Sequence, residues 1–239
     1  MMATLRLLVT EKEAMRYPGG KNADGVYQFI INQIPPHDEY IELFGGSAAV
    51  LRFKLPADRS YVCELSPGAI AALGDVVLPP ATIIKKCDGI CWLAYHRCSQ
   101  RTFIYADPPY LPETRSKRRI YEHEMTFDDH VTLLELLANE SCMVALSGYA
   151  SPLYSEMLGG WRVLEYRVMT RGGPRIECLW MNYPEPSELH DYRYLGENFR
   201  QRERIRRQQR TWSRRLAVMD RLQRLALMSV LCAPPIGGR

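Results

Sequence analysis

The sequence predicts an α/β domain followed by a basic helical extension. Short β-branched or aromatic runs alternate with helical stretches, the pattern of an α/β fold. Charge is also uneven: residues 1–189 hold 19 basic and 23 acidic side chains, whereas residues 190–239 hold 12 Arg, no Lys and 4 acids. With 239 residues, 46% of them hydrophobic, the chain can form one large domain or one domain with an appendage, which excludes wholesale disorder.

Seven runs have the composition of strands, and most of them end in Gly, Pro or an acid. They are Glu39–Phe44, Tyr61–Glu64, Thr82–Cys87, Thr102–Ala106, Met143–Ser147, Arg162–Val168 and Glu177–Tyr183. Four stretches between them are predicted helices: Gly25–Gln33, Ala48–Leu55, Thr126–Asn139 and Ser151–Leu158. The third has the clearest start signal, because Thr126 is followed by Asp128 and Asp129 and then by an apolar stripe.

Pro184 and Pro186 mark a boundary, so we predict one domain over residues 1–189 and a helical extension over residues 190–239. Eight Arg fall between Arg200 and Arg215, with Glu203 as the one acid among them. This charge favours an arm that binds a polyanion, and the alternative is a solvated helix without a partner.

Several classes are disfavoured. No apolar run approaches the roughly 20 residues of a membrane-spanning helix, and Leu5–Val9 is too short for a signal peptide. Cys87, Cys91 and Cys98 lie near His96, but they form no CxxC pair, so we expect no metal site. Seven cysteines without a secretory signal favour reduced thiols and a cytoplasmic protein.

The segment Tyr40–Val50, YIELFGGSAAV, joins an apolar strand to a helix through a turn of small residues. Such turns let backbone N–H groups approach a ligand closely. Glu64 follows at the tip of the next strand, where an acid can accept hydrogen bonds from two ribose hydroxyls. The two features favour a nucleotide-type cofactor, and the alternative is a tight turn with a surface acid.

The run Thr102–Ala106 ends in Asp107-Pro108-Pro109-Tyr110. Two prolines remove two N–H donors, which leaves carbonyls and a carboxylate as acceptors. Such a pocket suits the exocyclic amine of a flat base: Asp107 and the Pro108 carbonyl would take the two N–H bonds of adenine, and Tyr110 would stack on its face. The alternative is a strand end with a surface Asp.

These motifs together resemble a known family. DPPY, the upstream YPGGK (Tyr17–Lys21), FGGSAAV, LSGY (Leu146–Tyr149) and ECLWMNY (Glu177–Tyr183) follow the order found in the Dam-like S-adenosylmethionine-dependent DNA adenine-N6 methyltransferases. The resemblance covers about residues 15–183. It implies a Rossmann-like methyltransferase sheet, mostly parallel with an antiparallel edge strand. The Arg-rich end resembles the extension of small phage and prophage adenine methylases.

The resemblance also implies roles for individual residues. The cofactor S-adenosyl-L-methionine would be bound by Tyr17, Lys21, Glu42, Phe44, Gly46, Glu64, Asp88 and Asp107. Asp107, Pro108, Pro109 and Tyr110 would be catalytic, and no metal is implied.

Three departures from the family pattern stand out. Ala48 replaces the second glycine of the cofactor turn, and Glu64 replaces the commoner Asp. The stretch from Ser47 to Tyr105 is also too short for the target-recognition domain that the family usually inserts there. We therefore predict that DNA is contacted by the segment after DPPY and by a second loop, through Arg115, Lys117, Arg118, Arg119, Tyr121, Arg171 and Arg175.

The expected function is direct methyl transfer to N6 of a flipped adenine in double-stranded DNA, with no obligatory protein partner and no membrane. The alternatives are methylation of RNA adenine, methylation of N4 of DNA cytosine, or a DNA-binding protein that has lost activity. Asp at the first position of DPPY favours adenine over cytosine through the family resemblance alone.

Overall fold

The computed structural model describes residues 20–23, 25–115, 121–170 and 173–232. Its strands are β1 Glu39–Glu42, β2 Arg59–Glu64, β3 Thr82–Lys86, β4 Thr102–Ala106, β5 Met143–Gly148, β6 Arg162–Thr170 and β7 Gly173–Met181. Its α-helices are α1 Val26–Ile31, α2 Ala49–Phe53, α3 Pro67–Gly74, α4 Gly89–Tyr95, α5 Phe127–Ala138, α6 Pro152–Met157, α7 Phe199–Val218 and α8 Arg221–Leu231. Residues Pro112–Thr114 form a short 3-10 helix.

The seven strands form one sheet in the order β3-β2-β1-β4-β5-β7-β6. The pairs among β1 to β5 are parallel, and β7 runs antiparallel to both β5 and β6. The predicted fold class, a mostly parallel α/β sheet with antiparallel pairing at one edge, is confirmed. The strand order reverses between β1 and β4, and in such sheets ligands bind outside the carboxyl ends of the strands at this point.

Helices cover both faces of the sheet, so its central strands are buried on both sides. In β1, Tyr40 packs in the apolar cluster on one face and Ile41 in the cluster on the other. In β4, Phe103 and Ile104 divide between the same two clusters. This explains why the strands have near-continuous apolar sequences rather than alternating ones.

Helix starts follow local capping chemistry. Thr126 caps α5 by accepting the Asp129 N–H, and the Asp129 side chain accepts the Thr126 N–H in return, as the sequence indicated. The helices α3 and α4 were not among the predicted ones. Ser66 caps α3 and Asp88 caps α4, so both short helices carried a start signal.

The chain divides into two compact units, one up to Tyr194 and one from Leu195. Residues just before the division belong to the first unit: the Leu55 N–H donates to Asp191, and Arg193 donates to the Phe53 carbonyl. The second unit contains α7 and α8, and Met219 leaves helical geometry between them before Asp220 caps α8. The functional roles given to the predicted domains, 1–189 and 190–239, stay predictions.

Within the described ranges, no helix combines the length and the apolar character needed to cross a bilayer.

Candidate active site

A cavity opens at the carboxyl ends of β1 to β4. The residues that line it include Lys21, Glu42, Phe44, Gly46, Ser47, Glu64, Asp88, Gly89, Asp107, Pro109, Tyr121, His123, Glu124 and Asp129. Because parallel strands share one carboxyl edge, acids at or just after the ends of four different strands meet in one place. The structure thus brings together most of the predicted cofactor and catalytic residues that it describes.

The small-residue turn after β1 packs closely on β2. A Cβ atom built on Gly45 would lie 2.5 Å from a Val62 methyl carbon, so this position has no room for a side chain. The Gly46 N–H donates to Glu64 Oε2 at 2.7 Å, and the Ser66 N–H donates to Glu64 Oε1 at 2.8 Å. Glu64 is therefore held in the cavity wall by both of its flanking turns.

Glu42 is buried beneath the same turn. Its Oε2 accepts hydrogen bonds from the Tyr40 hydroxyl at 2.9 Å and from the Leu51 N–H at 3.2 Å. Burial raises the pKa of Glu42 to about 8, although these hydrogen bonds oppose the rise. Glu42 therefore connects β1 to α2 and fixes the turn between them.

Asp88 follows β3 and caps α4. Its Oδ1 accepts the N–H groups of Ile90 at 2.8 Å and Cys91 at 2.9 Å. Gly89 next to it has no space for a side chain, because a Cβ atom there would lie 2.2 Å from the Leu43 carbonyl oxygen. Gly89 was not predicted as a site residue, since its importance appears only from this contact between α4 and the turn after β1.

Asp107 is the centre of a buried hydrogen-bond network. Its Oδ1 accepts from the Lys21 ammonium at 2.7 Å and from the Tyr110 hydroxyl at 3.0 Å. The Lys21 ammonium also donates to the Tyr110 hydroxyl at 2.7 Å. Burial raises the pKa of the Asp107 carboxyl, with Lys21 opposing the rise. The sequence predicted that the acceptors of this segment are open to a ligand. In the structure the Lys21 ammonium donates to one of them, the Asp107 carboxylate.

Glu177 completes the network, and the sequence had given it no predicted role. It lies on β7, is 4% exposed, and its Oε2 is 3.3 Å from the Lys21 ammonium. The Tyr166 hydroxyl on β6 donates to the same oxygen at 2.8 Å. The available signal was an acid beside a continuous apolar run, since buried acids are rare unless they are paired.

The prolines and aromatic residues form the walls around this network. Pro108 is buried, whereas Pro109 lines the cavity. The Tyr110 ring packs edge-on against Tyr149 with centroids 4.7 Å apart. Phe44 lines the cavity and packs on the apolar cluster below it.

The end of the upstream motif also lies here. Asn22 donates to the Ser47 hydroxyl at 2.9 Å, next to Lys21 in the chain, so the segment after YPGG contacts the turn after β1. Tyr17 lies outside the described residues.

Of the predicted DNA-binding residues that the structure describes, two lie at the cavity wall and one is exposed. The Arg115 side chain is 3% exposed, and its guanidinium forms a bidentate ion pair with Glu124 and lies over the Tyr121 ring. It therefore supports the cavity wall in this conformation rather than facing solvent. Tyr121 lines the cavity, and Arg175 is exposed on β7. Lys117, Arg118, Arg119 and Arg171 lie outside the described residues.

Neither a family model nor a curated protein sequence matches the chain. Among solved structures, a putative O-methyltransferase from Klebsiella pneumoniae has a TM-score of 0.50 at 13% identity, covering 74% of this chain and 89% of that one. A putative RNA methyltransferase from Pyrococcus horikoshii has a TM-score of 0.45 at 11% identity, covering 74% and 97%. An rRNA methylase from Streptococcus thermophilus has a TM-score of 0.44 at 11% identity, covering 65% and 92%.

At these identities the similarity concerns the fold. The first unit of the chain has a Rossmann-like α/β fold similar to that of the putative O-methyltransferase, with its cavity at the strand edge where such folds bind ligands. What the protein acts on has to be argued from the residues of the site.

Proposed function

We propose that this protein is an S-adenosylmethionine-dependent methyltransferase that acts on N6 of a flipped adenine in DNA. The observation that carries the proposal is the position of Asp107-Pro108-Pro109-Tyr110, which directly follows β4 at the rim of the cavity. The same cavity contains the turn after β1, the acids that end β1 and β2, and the acid that follows β3.

The cofactor suits the part of the cavity near β1 to β3. Glu64 is fixed by two backbone N–H groups and can accept ribose hydroxyls with its remaining lone pairs. Asp88 uses Oδ1 to cap α4, which leaves Oδ2 to accept the adenine amine of the cofactor. When bound, S-adenosylmethionine supplies a methyl group activated by its sulfonium charge.

The target amine suits the Asp107 end. An ammonium group, Lys21, already donates to Asp107 and to the Tyr110 hydroxyl, so the pocket accommodates N–H donors. An adenine amino group that replaced these contacts would donate to Asp107 and to the Pro108 carbonyl. These two hydrogen bonds would reduce the conjugation of the nitrogen lone pair with the ring and leave it available for attack on the methyl group. The raised pKa of Asp107 also favours it as acceptor of the proton that N6 loses after methylation.

Lys21 acts as a positioning residue in this scheme. Burial opposes its charge, but Asp107 and Glu177 outweigh that effect and raise the pKa of Lys21. Two buried carboxylates would otherwise repel one another across the pocket. Lys21 therefore holds Asp107 in place before the base arrives, with Glu177 and Tyr166 fixing Lys21 from the β6–β7 side.

DNA would be contacted by basic side chains elsewhere in the chain, since the usual recognition domain does not fit between Ser47 and Tyr105. Arg175 is an exposed candidate on the first unit, and the second unit adds exposed Arg200, Arg204 and Arg207 on one side of α7. Residues 117–119 and Arg171 remain candidates on sequence grounds. Tyr121, beside the cavity, is the candidate to fill the gap left by the flipped base.

The test separates cofactor binding from transfer. Calorimetry with S-adenosylmethionine measures the first, and incorporation of labelled methyl into unmethylated DNA measures the second. Glu64→Ala should weaken cofactor binding about tenfold or more, because two hydrogen bonds are removed. Asp107→Ala should lower the transfer rate by a factor of about 100 or more while largely sparing DNA affinity.

Glu113→Gln, an exposed acid close to Asp107 in the chain, is the matched control and should keep full activity. Full activity in Asp107→Ala would refute the assignment. Cofactor binding without transfer to any nucleic acid would instead support a silent DNA-binding homologue. Transfer of the methyl group to RNA, or to N4 of cytosine, would support the corresponding alternative function.

A further inference from the structure

A second cluster of reactive side chains lies at the opposite edge of the sheet from the candidate active site. Cys98 lies in the loop before β4, and Glu140 and Cys142 lie in the turn before β5. Because β4 and β5 are parallel neighbours that pair Phe103 with Met143, the segments before them meet at the amino edge. None of the three residues lines the active-site cavity.

The geometry of the cluster fits one coordination shell. The two sulfur atoms and a Glu140 carboxylate oxygen all lie within 4.8 Å of one another, and the Cys142 thiol is 3.8 Å from the Glu140 oxygen. A tetrahedral zinc ion with Zn–S bonds near 2.3 Å and Zn–O bonds near 2.0 Å keeps its ligand atoms roughly 3.5–3.8 Å apart. Small side-chain rotations would close the remaining gap.

The surroundings would stabilise a cation among these groups. The carboxylates of Glu140 and Glu39 lie near the Cys98 thiol and make this part of the surface negatively charged. A cation at this place would offset that negative charge. Cys142 is buried, while Cys98 and Glu140 are half-buried, so an ion could enter and still be sheltered. Glu39 is not among the residues whose ligand atoms lie within 4.8 Å of one another, and its Oε1 accepts from the Thr102 hydroxyl at 3.1 Å.

We propose that Cys98, Glu140 and Cys142 form a binding site for a thiophilic divalent cation of the zinc class, with water as the fourth ligand. Two thiolates select zinc over magnesium or calcium, which prefer oxygen ligands alone. Binding forms two metal–sulfur bonds and one metal–oxygen bond and releases the two thiol protons to solvent. No atom is oxidised or reduced, so no co-reactant is needed.

A bound ion would connect the amino ends of β4 and β5, which are neighbouring strands of the sheet. Asp107 directly follows the other end of β4. The spacing of Cys87, Cys91 and Cys98 could not reveal it, because two of the ligands come from a distant part of the chain that only the parallel pairing brings close. The proposal is independent of the proposed methyltransferase activity.

The test uses the full chain, stripped with a chelator and reloaded with Zn²⁺ or Co²⁺. We expect about one ion per chain after gel filtration, a sulfur-to-cobalt absorption band, release of about two protons per ion, and a higher unfolding temperature with zinc. Cys98→Ser and Cys142→Ser should weaken zinc binding at least about tenfold and remove the cobalt band. Cys91→Ser, an exposed thiol outside the cluster, is the matched control and should change none of these.

Stoichiometric binding that survives both serine substitutions would overturn the proposal, as would wild-type protein that retains no ion. A mass two hydrogens lower, with Cys98 joined to Cys142, would also overturn it, because the pair would then be a disulfide. Should the serine variants fail to fold, the cobalt band and the proton count of the wild-type chain decide the matter, since a site without thiolates gives neither.

Discussion

At the scale of single residues, the charges of the candidate active site balance one another. The Lys21 ammonium lies between Asp107 and Glu177, and its side chain is 4% exposed. Breaking a buried pair by removing one partner is far costlier than the net value of the pair itself. The network therefore fixes the position of Asp107 more than it stabilises the fold.

The raised pKa of Glu42 predicts a specific pH dependence of stability. Its folded-state pKa is about 8 against an ordinary value of 4.5, so between these values the folded chain keeps a proton that the unfolded chain releases. Stability contributed by the protonated form is complete below pH 4.5 and is lost as the pH rises towards 8. Glu42→Gln cannot ionise and should lose less stability over this window.

Denaturant unfolding at several pH values, compared between wild type and Glu42→Gln, measures this difference. We expect the two free energies of unfolding to diverge by an amount on the order of a few kcal/mol between the low and high ends of the window. Parallel curves for the two proteins would show that Glu42 ionises normally.

Ala48 predicts a stabilising substitution. It caps α2 with φ of 46° and ψ of 42°, the left-handed region, and it is fully buried. This conformation costs roughly 1–2 kcal/mol for a residue with a Cβ atom, whereas glycine adopts it without strain and loses only about 0.5–1 kcal/mol of additional chain entropy on folding. Ala48→Gly should therefore raise the free energy of unfolding by about 1 kcal/mol, measured by denaturant titration.

Ala49→Gly is the matched control for that measurement, because Ala49 is the first residue of the helix. It should lower the free energy of unfolding by roughly 0.5–1 kcal/mol. Equal effects of the two substitutions would show that the conformation at Ala48 is not strained. The sequence shows that Ala48 replaces a glycine of the family pattern, and the backbone angles show what that replacement costs.

Residues that act through three-dimensional proximity could not be predicted from the sequence. Asp107 and Glu64 follow recognisable strand ends, so their places in the cavity were predictable. Glu177 joins the site only because β7 inserts between β5 and β6, and the sequence carries no local sign of that order. Arg115 was predicted to contact DNA because it lies in a basic segment, but in the structure it forms an ion pair with Glu124, which is nearby in the chain.

At the scale of elements, the seven strands were predicted within a few residues, because buried parallel strands form short apolar runs between clear breaks. The helices α3 and α4 were missed, although Ser66 and Asp88 stand as capping residues at their starts. Their existence depends on capping and on packing against the sheet. The extension was predicted as helix, but its interruption at Met219 was not.

Gly89 gives a prediction about how α4 meets the sheet. A methyl group at this position would overlap the Leu43 carbonyl, which is backbone and cannot move aside freely. Gly89→Ala should therefore displace the start of α4, lower the free energy of unfolding by about 1–3 kcal/mol and weaken cofactor binding through Asp88.

The control is Gly74→Ala at the end of α3, where an added methyl group meets nothing within 4 Å. It should leave cofactor binding unchanged and slightly raise the free energy of unfolding. Unfolding curves and cofactor titrations on both variants decide the point. Similar behaviour of the two variants would show that the close approach at Gly89 is not required.

At the scale of the whole molecule, the two compact units differ in charge. The Arg side chains of α7 are too numerous to pair with its single acid, Glu203, which contacts Arg206. Their mutual repulsion is relieved when a phosphate backbone replaces small counterions. We therefore expect the second unit to contribute to affinity for DNA without contributing to its sequence preference.

The double substitution of Arg204 and Arg207 by Gln tests this expectation. Both side chains are exposed, and each phosphate-neutralising charge that is removed should reduce the magnitude of the slope of log K against log salt by about 0.9, so the double substitution should reduce it by up to about 1.8. The same change at exposed Arg59 and Arg97 of the first unit is the charge-matched control and should leave the slope nearly unchanged. Equal salt-dependence slopes for the wild type and both double variants would show that the extension is a solvated helix that does not contact DNA.

We propose that the pocket beside Asp107 methylates N6 of adenine in DNA. Incubating unmethylated DNA with S-adenosylmethionine and the full chain, and then sequencing with a method that reports modified bases, tests it most directly. We expect N6-methyladenine with wild-type protein and none with Asp107→Ala. Methyl groups on cytosine, on RNA alone, or on DNA at an undiminished level with Asp107→Ala would contradict it.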